Sequence, residues 1–323
     1  MTSAICITEF GGVDTLKLQD INVGAPGKGE VKLQQAASGL NFIDVYHRTG
    51  AYPNDLPLIP GVEGSGTVIE VGENVTNVKI GDRVAYAGPI GSYAEQRLIS
   101  ADNLVLLPDE ITFEQAAGMM LQGMTAQMLL RQVYKVKAGD TILIHAAAGG
   151  TGSIMSQWAN HLGVKVIGTV STPQKAEIAK ANGCHETILY TQTDFVEEVK
   201  SLTGGKGVDV VYDSVGATTF IKSLDCIKPM GTMVTFGQSS GPIEPILPIT
   251  LMQKGSLHLT RPFLFHYIAT PKTLNNCASE LFEVVKSEIV KTAVNQSFAL
   301  RDAANAHTQL EARATTGSTI LTI

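Results

Sequence analysis

The first third of the chain alternates apolar and polar residues over short stretches. Residues 31–37 have the two-residue period of a strand, and residues 64–72 and 83–86 form further short runs between turn residues such as Gly81 and Asp82. Glycine is dense in this region, and the runs are too short for strand–helix–strand units. Residues 1 to about 123 are therefore predicted to form a twisted, partly barrel-like antiparallel domain.

From Thr125 onward, apolar runs alternate with segments of helical period. Thr172 is a predicted N-cap ahead of Pro173, and Gly183 ends that helix. Strands alternating with helices in this way predict an α/β fold with a Rossmann-type, doubly wound parallel sheet. The predicted strands are residues 141–145, 165–170, 187–190, 208–212 and 232–236, and the other predicted helices are residues 151–162, 194–202 and 218–227.

The alternation stops after Thr260. Residues 271–289 and 300–313 are predicted helices, and residues 318–323 are a predicted strand that returns to the first domain. The expected organisation is a dinucleotide-binding domain at residues 124–261, inserted into a β-rich domain that comprises residues 1–123 and 262–323.

Composition narrows the functional classes. Hydrophobic residues make up 44% of the 323 positions and charged residues 17%, as in a globular protein. A net charge of −6 gives no general attraction for nucleic acid. Four scattered cysteines indicate neither a disulfide framework nor a metal knuckle. The chain opens without the pattern of a signal peptide, and its apolar runs are strand-sized, so we expect a cytoplasmic protein without a membrane partner.

A glycine turn is the strongest chemical signal in the sequence. Gly149, Gly150, Thr151 and Gly152 follow a predicted strand and open a predicted helix. Backbone N–H groups at such a turn bind a pyrophosphate at the positive end of the helix. Tight strand–helix turns also use glycine for purely steric reasons, but the intact strand–helix unit that follows favours dinucleotide binding.

The end of the next strand indicates which dinucleotide is bound. An NAD-binding protein places an acidic residue there for the ribose 2′-hydroxyl. This chain instead has Ser171 and, on the following helix, Lys175. An isolated lysine is usually a solvated surface residue, but a hydroxyl and a cation at this spacing suit a 2′-phosphate. NADPH is the predicted cofactor.

A catalytic zinc ion needs three protein ligands around an open position. Residues 38–44 contain no cysteine, and Val62 stands where a histidine ligand would help. His47 remains as an isolated candidate, better interpreted as a surface or hydrogen-bonded histidine. We expect no metal site.

Residues 41–53 combine amide and aromatic groups on one segment. The rings of Tyr46 and Tyr52 could hold a flat substrate by offset stacking, and a tyrosine hydroxyl or the Asn41 amide could bind a carbonyl oxygen. The alternative, that both tyrosines only pack beneath a loop, is equally compatible with the sequence.

At these motifs the chain resembles the zeta-crystallin-type NADPH:quinone oxidoreductases, a zinc-free branch of the medium-chain dehydrogenase/reductase superfamily. The resemblance covers essentially the whole length. It is strongest at GLNFIDVYHRTG (39–50), PGVEGSG (60–66), HAAAGGTG (145–152) and VYDSVG (211–216), and continues at residues 253–257, 260–262 and 310–318. One departure is Thr151, where the family often has valine.

The resemblance implies that the β-rich domain is GroES-like and that specific residues bind NADPH. Relatives can have glycine at the position of Ser171, so this hydroxyl would add a phosphate contact. Family members are usually homodimers joined through an edge strand, which residues 256–260 fit. The implied cofactor contacts are Asn41 and Thr125 at the nicotinamide end, covered by Phe263 and Phe265; Gly149, Gly150, Thr151 and Gly152 at the pyrophosphate; Lys175, Tyr190 and Arg313 around the adenosine and its 2′-phosphate; and Ser214, Val215, Gly216, Phe236, Gly237 and Ser239 along the cofactor cleft.

The leading hypothesis is a metal-free, NADPH-dependent quinone reductase. Its quinone would lie in the interdomain cleft near Asn41, Tyr46 and Tyr52, and catalysis would come mainly from positioning and exclusion of water. The alternative enzyme is a reductase of α,β-unsaturated carbonyls, with Tyr46, Tyr52 or water as proton donor. A binding role, such as the RNA binding or lens function of some relatives, is the third hypothesis, and the acidic charge gives it no support.

Overall fold

The computed structural model describes all 323 residues. It contains fifteen strands, and none of its helices is long and apolar enough to cross a membrane. The strands are β1 (Thr2–Cys6), β2 (Lys17–Ile21), β3 (Glu30–Leu40), β4 (Glu63–Val71), β5 (Arg83–Ala87), β6 (Gln96–Ser100), β7 (Val105–Leu106), β8 (Thr141–Ile144), β9 (Lys165–Val170), β10 (Glu186–Leu189), β11 (Val208–Asp213), β12 (Ile227–Thr235), β13 (His258–Thr260), β14 (Val294–Ala299) and β15 (Ser318–Thr322).

Eleven α-helices lie between these strands, together with a π-helical turn at Met128–Val133 and several short 3₁₀ turns. The helices are α1 (Phe42–Thr49), α2 (Phe113–Ala117), α3 (Met120–Gln127), α4 (Gly150–His161), α5 (Pro173–Ala181), α6 (Phe195–Leu202), α7 (Phe220–Ser223), α8 (Pro248–Gln253), α9 (Leu264–Tyr267), α10 (Pro271–Lys286) and α11 (Ala303–Glu311).

The chain divides into two compact units. The first comprises Met1–Met124, Ile268–Lys286 and Thr292–Ile323, and the second comprises Thr125–Tyr267 and Ser287–Lys291. The sequence prediction returned the chain to the first domain at residue 262. The structure places that return at Ile268 and also assigns residues 287–291 to the second unit.

The first unit is built on a seven-stranded sheet with the order β14-β15-β3-β4-β5-β7, in which β6 also pairs with β3. The eleven residues of β3 pair antiparallel with β15, β4 and β6, so the C-terminal strand does join this unit. One pair departs from the predicted antiparallel pattern, because β14 runs parallel to β15. Alternate residues of β3 such as Val31 and Leu33 are fully buried, as the two-residue period requires.

The second unit contains a six-stranded parallel sheet with the order β10-β9-β8-β11-β12-β13. All five predicted strands are present, and β13 adds a sixth at the edge. Thr172 caps α5, with its side chain accepting a hydrogen bond from the backbone N–H of Lys175, and Pro173 is the first helical residue. The carboxyl ends of parallel strands lie at one edge, where ligands of such sheets bind.

Two predicted helices are shorter than the sequence indicates. The segment 218–227 forms α7 and a 3₁₀ turn, because Ile227 is already drawn into β12 opposite Val208. The segment 300–313 begins as a 3₁₀ turn, and α11 ends at Glu311. Arg313 comes after the end of this helix, and its backbone lies in the left-handed region, with φ at 57°. It therefore lies beyond the helix rather than on it.

Candidate active site

The glycine turn joins β8 to α4 in the second unit. Gly149 is the N-cap of α4, and no side chain caps this helix. The first N–H groups of a helix have no partner within the helix, so they remain available for an anion at its positive end. A Cβ at Gly152 would lie 2.5 Å from the carbonyl oxygen of Ala146 and 2.8 Å from the Cα of Ala147. Only glycine fits at this position without displacing the backbone, and the binding of a pyrophosphate by the turn stays a prediction.

Ser171 and Tyr190 lie side by side at the carboxyl edge of the sheet. Ser171 follows β9 and Tyr190 follows β10, and the last pair of these two strands is Val170 opposite Leu189. The hydroxyl of Thr191 donates a 3.0 Å hydrogen bond to the carbonyl oxygen of Ser171. Lys175 is in the first turn of α5, which starts from the same edge, and no acidic residue occurs between positions 170 and 176. Ser171, Lys175 and Tyr190, three of the four residues expected around the adenosine and its 2′-phosphate, thus all follow the carboxyl ends of β9 and β10, and their contacts with a phosphate stay a prediction.

The loops after β11 and β12 contact each other at this edge, and the first of them is held by the buried side chain of Asp213. Its Oδ1 accepts hydrogen bonds from the backbone N–H groups of Val215 (2.7 Å) and Gly216 (3.1 Å). The N–H of Ser239 donates to the carbonyl oxygen of Ser214 at 3.2 Å. The expected cleft residues on these two loops are therefore neighbours: Ser214, Val215, Gly216, Phe236, Gly237 and Ser239.

The remaining expected cofactor residues lie at separate places. Thr125 is in α3, at the first position of the second unit. Phe263 and Phe265 follow β13, with ring centroids 5.0 Å apart in an edge-to-face arrangement. Arg313 is exposed on the first unit. Their proposed contacts with a nucleotide remain predictions.

Asn41, in the first unit, connects the end of β3 to α1. Its backbone N–H donates a 2.9 Å hydrogen bond to Oδ2 of Asp44, which fixes the start of the helix. Its side-chain Nδ2 donates to Oε2 of Glu63 at 2.6 Å, and its Oδ1 accepts from Nε2 of Gln122 at 3.1 Å. Oε1 of Gln122 in turn accepts from the hydroxyl of Ser318 at 2.8 Å. Asn41 is thus one member of a buried hydrogen-bond chain.

Two carboxyl groups near Asn41 are removed from solvent. Burial raises the pKa of Glu63 to about 8, although hydrogen bonds from Asn41 and the N–H of Leu121 favour the ionised form. Burial likewise raises the pKa of Asp44 to about 7, against hydrogen bonds from Asn41 and Tyr93. Folding therefore keeps these groups protonated at pH values where the unfolded chain has released the protons.

Tyr46 and Tyr52 form one aromatic cluster. Their ring centroids are 5.1 Å apart, and Phe42 lies 6.2 Å from Tyr46. The N–H of Tyr52 donates to the carbonyl oxygen of Tyr46, which ties the loop after α1 back to the helix. Neither tyrosine is fully buried. The cluster retains exposed aromatic surface, which a purely internal packing role would not require.

His47 is mostly buried beside Tyr52, with ring centroids 6.0 Å apart. Burial lowers the pKa of His47 to about 4, so its ring is neutral at physiological pH. No three His, Cys, Asp or Glu side chains lie close enough together to hold a metal ion. The metal-free hypothesis itself remains a prediction.

Sequence reasoning missed the partners of Asn41. Glu63, Gln122 and Ser318 are separated from it by 22, 81 and 277 positions, so no local spacing connects them. The one available signal was Glu63 itself, an acidic residue in the strand β4, whose other residues are mainly small or apolar. Such a residue must find donors when the strand is buried.

The two carboxyl groups generate a pH dependence of stability. The folded state binds protons on Glu63 and Asp44 that the unfolded state has lost, so stability falls as the pH rises toward the folded-state pKa values. Buried histidines with lowered pKa values act in the opposite direction, but only below their ordinary pKa of 6.5. The interval from pH 6.5 to 8 therefore isolates the carboxyl groups.

We predict that the free energy of unfolding, measured by urea denaturation, falls by roughly 1–2 kcal/mol across this interval. The Glu63→Gln variant should lose most of the fall, whereas the exposed-acid control Glu114→Gln should retain it. An undiminished fall in Glu63→Gln would contradict the assignment of this titration to Glu63.

Two family models match the chain. The alcohol dehydrogenase GroES-like domain covers residues 27–109, and the zinc-binding dehydrogenase domain covers residues 150–280. The second model's name refers to zinc, but its match here includes no cluster of metal-ligating side chains.

Relatives that match over the full length of the chain make this family assignment more specific. The chain is 50% identical to the quinone oxidoreductase of Pseudomonas aeruginosa and 46% identical to a 2-haloacrylate reductase from a Burkholderia species, with 99% of each chain covered in both comparisons. It superposes on the structure of Escherichia coli quinone oxidoreductase complexed with NADPH with a TM-score of 0.98 at 44% identity, covering 99% of this chain and 100% of that one. The expected α/β fold with a GroES-like domain is confirmed, and the chain belongs to the quinone oxidoreductase family of the medium-chain dehydrogenase/reductase superfamily.

Proposed function

We propose that this protein is an NADPH-dependent quinone reductase that works without a metal ion. The observation that carries the proposal is the grouping of Ser171, Lys175 and Tyr190 beside the glycine turn, with no acidic residue at the end of β9. The quinone oxidoreductase relatives support the substrate class, and the NADPH complex of the Escherichia coli protein supports the cofactor.

Bound NADPH would supply the hydride, and the residues of the chain would hold and orient it. The free N–H groups at the start of α4 would bind the pyrophosphate, and Ser171 and Lys175 would bind the 2′-phosphate. Arg313 is proposed as a further cation for that phosphate. Thr125, Phe263 and Phe265 are proposed to contact the nicotinamide half.

The quinone would stack against the aromatic cluster of Tyr46 and Tyr52, next to Asn41. A quinone is already electrophilic, so positioning and exclusion of water are the main contributions required of the protein. His47 is neutral at physiological pH because of its lowered pKa, and it is not a cationic acid for this step.

Oxidation of NADPH and NADH at 340 nm, with a benzoquinone, a naphthoquinone and an aliphatic enone as acceptors, tests the proposal. We expect turnover of quinones with NADPH and little with NADH. Turnover of the enone alone would contradict the substrate assignment while retaining the cofactor assignment. Binding of NADPH without reduction of any acceptor would contradict the enzymatic assignment.

Reduction of an activated alkene is the second candidate function. It is favoured by the 46% identity to a 2-haloacrylate reductase over the full chain. Hydride transfer to the β-carbon requires a proton at the α-carbon, and Tyr46, Tyr52 or water would provide it. If a tyrosine is the donor, Tyr46→Phe or Tyr52→Phe would abolish enone turnover and spare quinone turnover, whereas with water as the donor both variants would keep enone turnover. Under the leading proposal, the native chain reduces quinones and not the enone, and both variants keep quinone reduction.

Lys175 provides a test of cofactor selection. A lost charge-assisted hydrogen bond costs about 1.5–3 kcal/mol, so Lys175→Ala should raise the KM for NADPH by roughly 10- to 100-fold. The KM values for NADH and for the quinone should change little. The control Lys180→Ala removes a lysine of the same helix that pairs with Glu177, and it should leave all three constants unchanged. Equal increases for NADPH and quinone would overturn the assignment of Lys175.

We also propose that two copies associate through β13. This strand is the edge of the parallel sheet, and its Leu259 is partly exposed. The adjoining helix α8 exposes Ile249 and Met252 as well. A free strand edge beside exposed apolar side chains is a natural pairing site for a second copy.

Sedimentation equilibrium should therefore show a dimer for the native chain. Leu259→Lys should raise the dissociation constant at least about tenfold, because a buried unpaired charge at an interface costs more than about 1.4 kcal/mol. Leu18→Lys, which alters an exposed leucine of β2 in the other unit, is the control and should leave the dimer intact. A monomeric native chain would refute the proposal.

We also propose that the protein is located in the cytoplasm. All four cysteines are buried and none forms a disulfide bond, as expected for a reducing compartment. Recovery of the protein in the membrane fraction after cell lysis would contradict it.

A further inference from the structure

A buried histidine lies next to the glycine turn in the second unit. His145 follows β8, and its side chain is almost completely removed from solvent. Its Nδ1 lies 2.8 Å from the hydroxyl of Thr169, in β9, and its Nε2 lies 2.8 Å from the hydroxyl of Ser223, in α7. The ring also packs edge to face with Phe195, with centroids 5.1 Å apart. The imidazole therefore has a partner at each nitrogen and links the end of β8 to β9 and to α7.

The hydrogen bonds of Ser223 determine which nitrogen of the ring carries the proton. The single hydroxyl hydrogen of Ser223 is donated to the carbonyl oxygen of Thr219 at 2.8 Å, so this hydroxyl accepts from Nε2–H of His145. Burial lowers the pKa of His145, against the opposing effect of the nearby Asp213, and the ring is neutral at physiological pH. In the neutral ring Nδ1 has no proton, and it accepts from the hydroxyl of Thr169.

The hydrogen bond from Thr169 lies where the backbone pairing between β8 and β9 ends. The last pair of these two strands is Ile144 opposite Gly168. Beyond this pair, the N–H of Ala147 donates to the carbonyl oxygen of Thr169 at 3.2 Å, and the His145 side chain adds a second link. The side chain therefore continues the connection between the two strands at the point where the glycine turn leaves β8.

The other side of β9 needs no such link. β9 and β10 remain paired up to Val170 and Leu189, the last residues of the two strands. Ser171 follows β9 directly, and Lys175 is in the first turn of α5, which starts from the same strand end. The two residues predicted to bind the 2′-phosphate thus follow β9, whereas the predicted pyrophosphate site follows β8. The distance between the two sites depends on how the ends of β8 and β9 are joined.

We infer that His145 is a positioning residue for the cofactor, which acts through Thr169 to set the distance between the pyrophosphate site at the glycine turn and the 2′-phosphate site after β9. The inference rests on the proposed function, because this distance matters only for a ligand that binds at both sites. NADPH is such a ligand, since its 2′-phosphate and its pyrophosphate are attached to the same ribose. A distance that is fixed before binding leaves less ordering to be done by the ligand, and the affinity is higher.

A purely structural role for His145 predicts a different result. Loss of either hydrogen bond would then loosen the sheet and weaken the binding of every nucleotide by a similar factor. A positioning role distinguishes the two bonds, because β9 lies on one side of β8, whereas Ser223 belongs to α7, which follows β11 on the other side. It also predicts that a ligand confined to one of the two phosphate sites is unaffected.

The first test is Thr169→Val, which removes the hydroxyl and keeps the shape of the side chain. We expect the dissociation constant of adenosine 2′,5′-bisphosphate, measured by isothermal titration calorimetry, to rise about 3- to 10-fold, as the loss of one hydrogen bond implies. Adenosine 2′-monophosphate, which lacks the 5′-phosphate, should bind as it does to the native chain. Ser223→Ala is the matched control, because it removes a buried hydrogen bond to the same imidazole. It should leave the binding of both nucleotides unchanged.

The second test replaces His145 by each of two amides. In His145→Asn, the carboxamide oxygen takes the place of Nδ1 and accepts from Thr169, so adenosine 2′,5′-bisphosphate should bind as it does to the native chain. In His145→Gln, the longer side chain reaches the position of Nε2 and retains only the bond to Ser223. Its dissociation constant for the bisphosphate should rise as in Thr169→Val. In the His145→Gln background, Thr169→Val should then have no further effect.

Three results with Thr169→Val would overturn the inference: unchanged binding of the bisphosphate, equal weakening of the two nucleotides, or an equal effect of Ser223→Ala. Equal effects of His145→Asn and His145→Gln would also overturn it. Should the His145 variants fail to fold, the comparison of Thr169→Val with Ser223→Ala decides alone. Failure of the proposed function is distinct, because the native chain itself would then bind neither nucleotide or reduce no acceptor.

Discussion

A carboxyl group in a dry protein interior must be surrounded by hydrogen-bond donors, and Glu63 imposes this constraint on the first unit. Its donors come from the turn after β3 and from the start of α3. The same hydrogen-bond chain continues to β15, near the C-terminus. Satisfying one buried acid therefore requires that elements from distant parts of the sequence meet in a single register.

The second unit offers a ligand different groups from those of the first. There the main contacts available to a ligand are backbone N–H groups at the end of a helix, and the side chains that matter follow the carboxyl ends of strands. Asp213 accepts the N–H groups of the loop after β11, so this loop is shaped by an internal acid rather than by a ligand. Backbone geometry is suited to a pyrophosphate, whose charge is spread over several oxygens. The carboxamide of Asn41, in contrast, is held by hydrogen bonds to Glu63 and Gln122 inside the first unit.

How much could be predicted from the sequence depended on the range of the interactions. The strands of the parallel sheet, the cap at Thr172 and the glycine turn are local features, and local periodicity and turn chemistry identified them. The return of the last strand to the first unit was also predicted from its apolar pattern and position, and the structure shows that its partner there is β3. Helix ends were less accurate where a strand competed for the same residues, as at Ile227, or where a residue adopted the left-handed region, as at Arg313.

The same distinction between local features and contacts over long sequence separations applies to the candidate site. Ser171, Lys175 and the glycine turn were predicted from local sequence, and the structure places them at the carboxyl ends of neighbouring strands, while their contacts with NADPH stay predictions. Glu63, Gln122 and Ser318 were not identified as partners of Asn41, because hydrogen bonds over such sequence separations leave no periodic trace. Tyr46 and Tyr52 are partly exposed, and whether they contact a substrate stays a prediction.

The most direct test of this account is a crystal structure of the protein with NADPH. The account predicts that the Asn41 carboxamide keeps its hydrogen bonds to Glu63 and Gln122 when the cofactor is bound. It also predicts the 2′-phosphate within hydrogen-bond distance of Ser171 and Lys175. A 2′-phosphate bound away from Ser171 and Lys175, or a carboxamide turned away from Glu63, would contradict it.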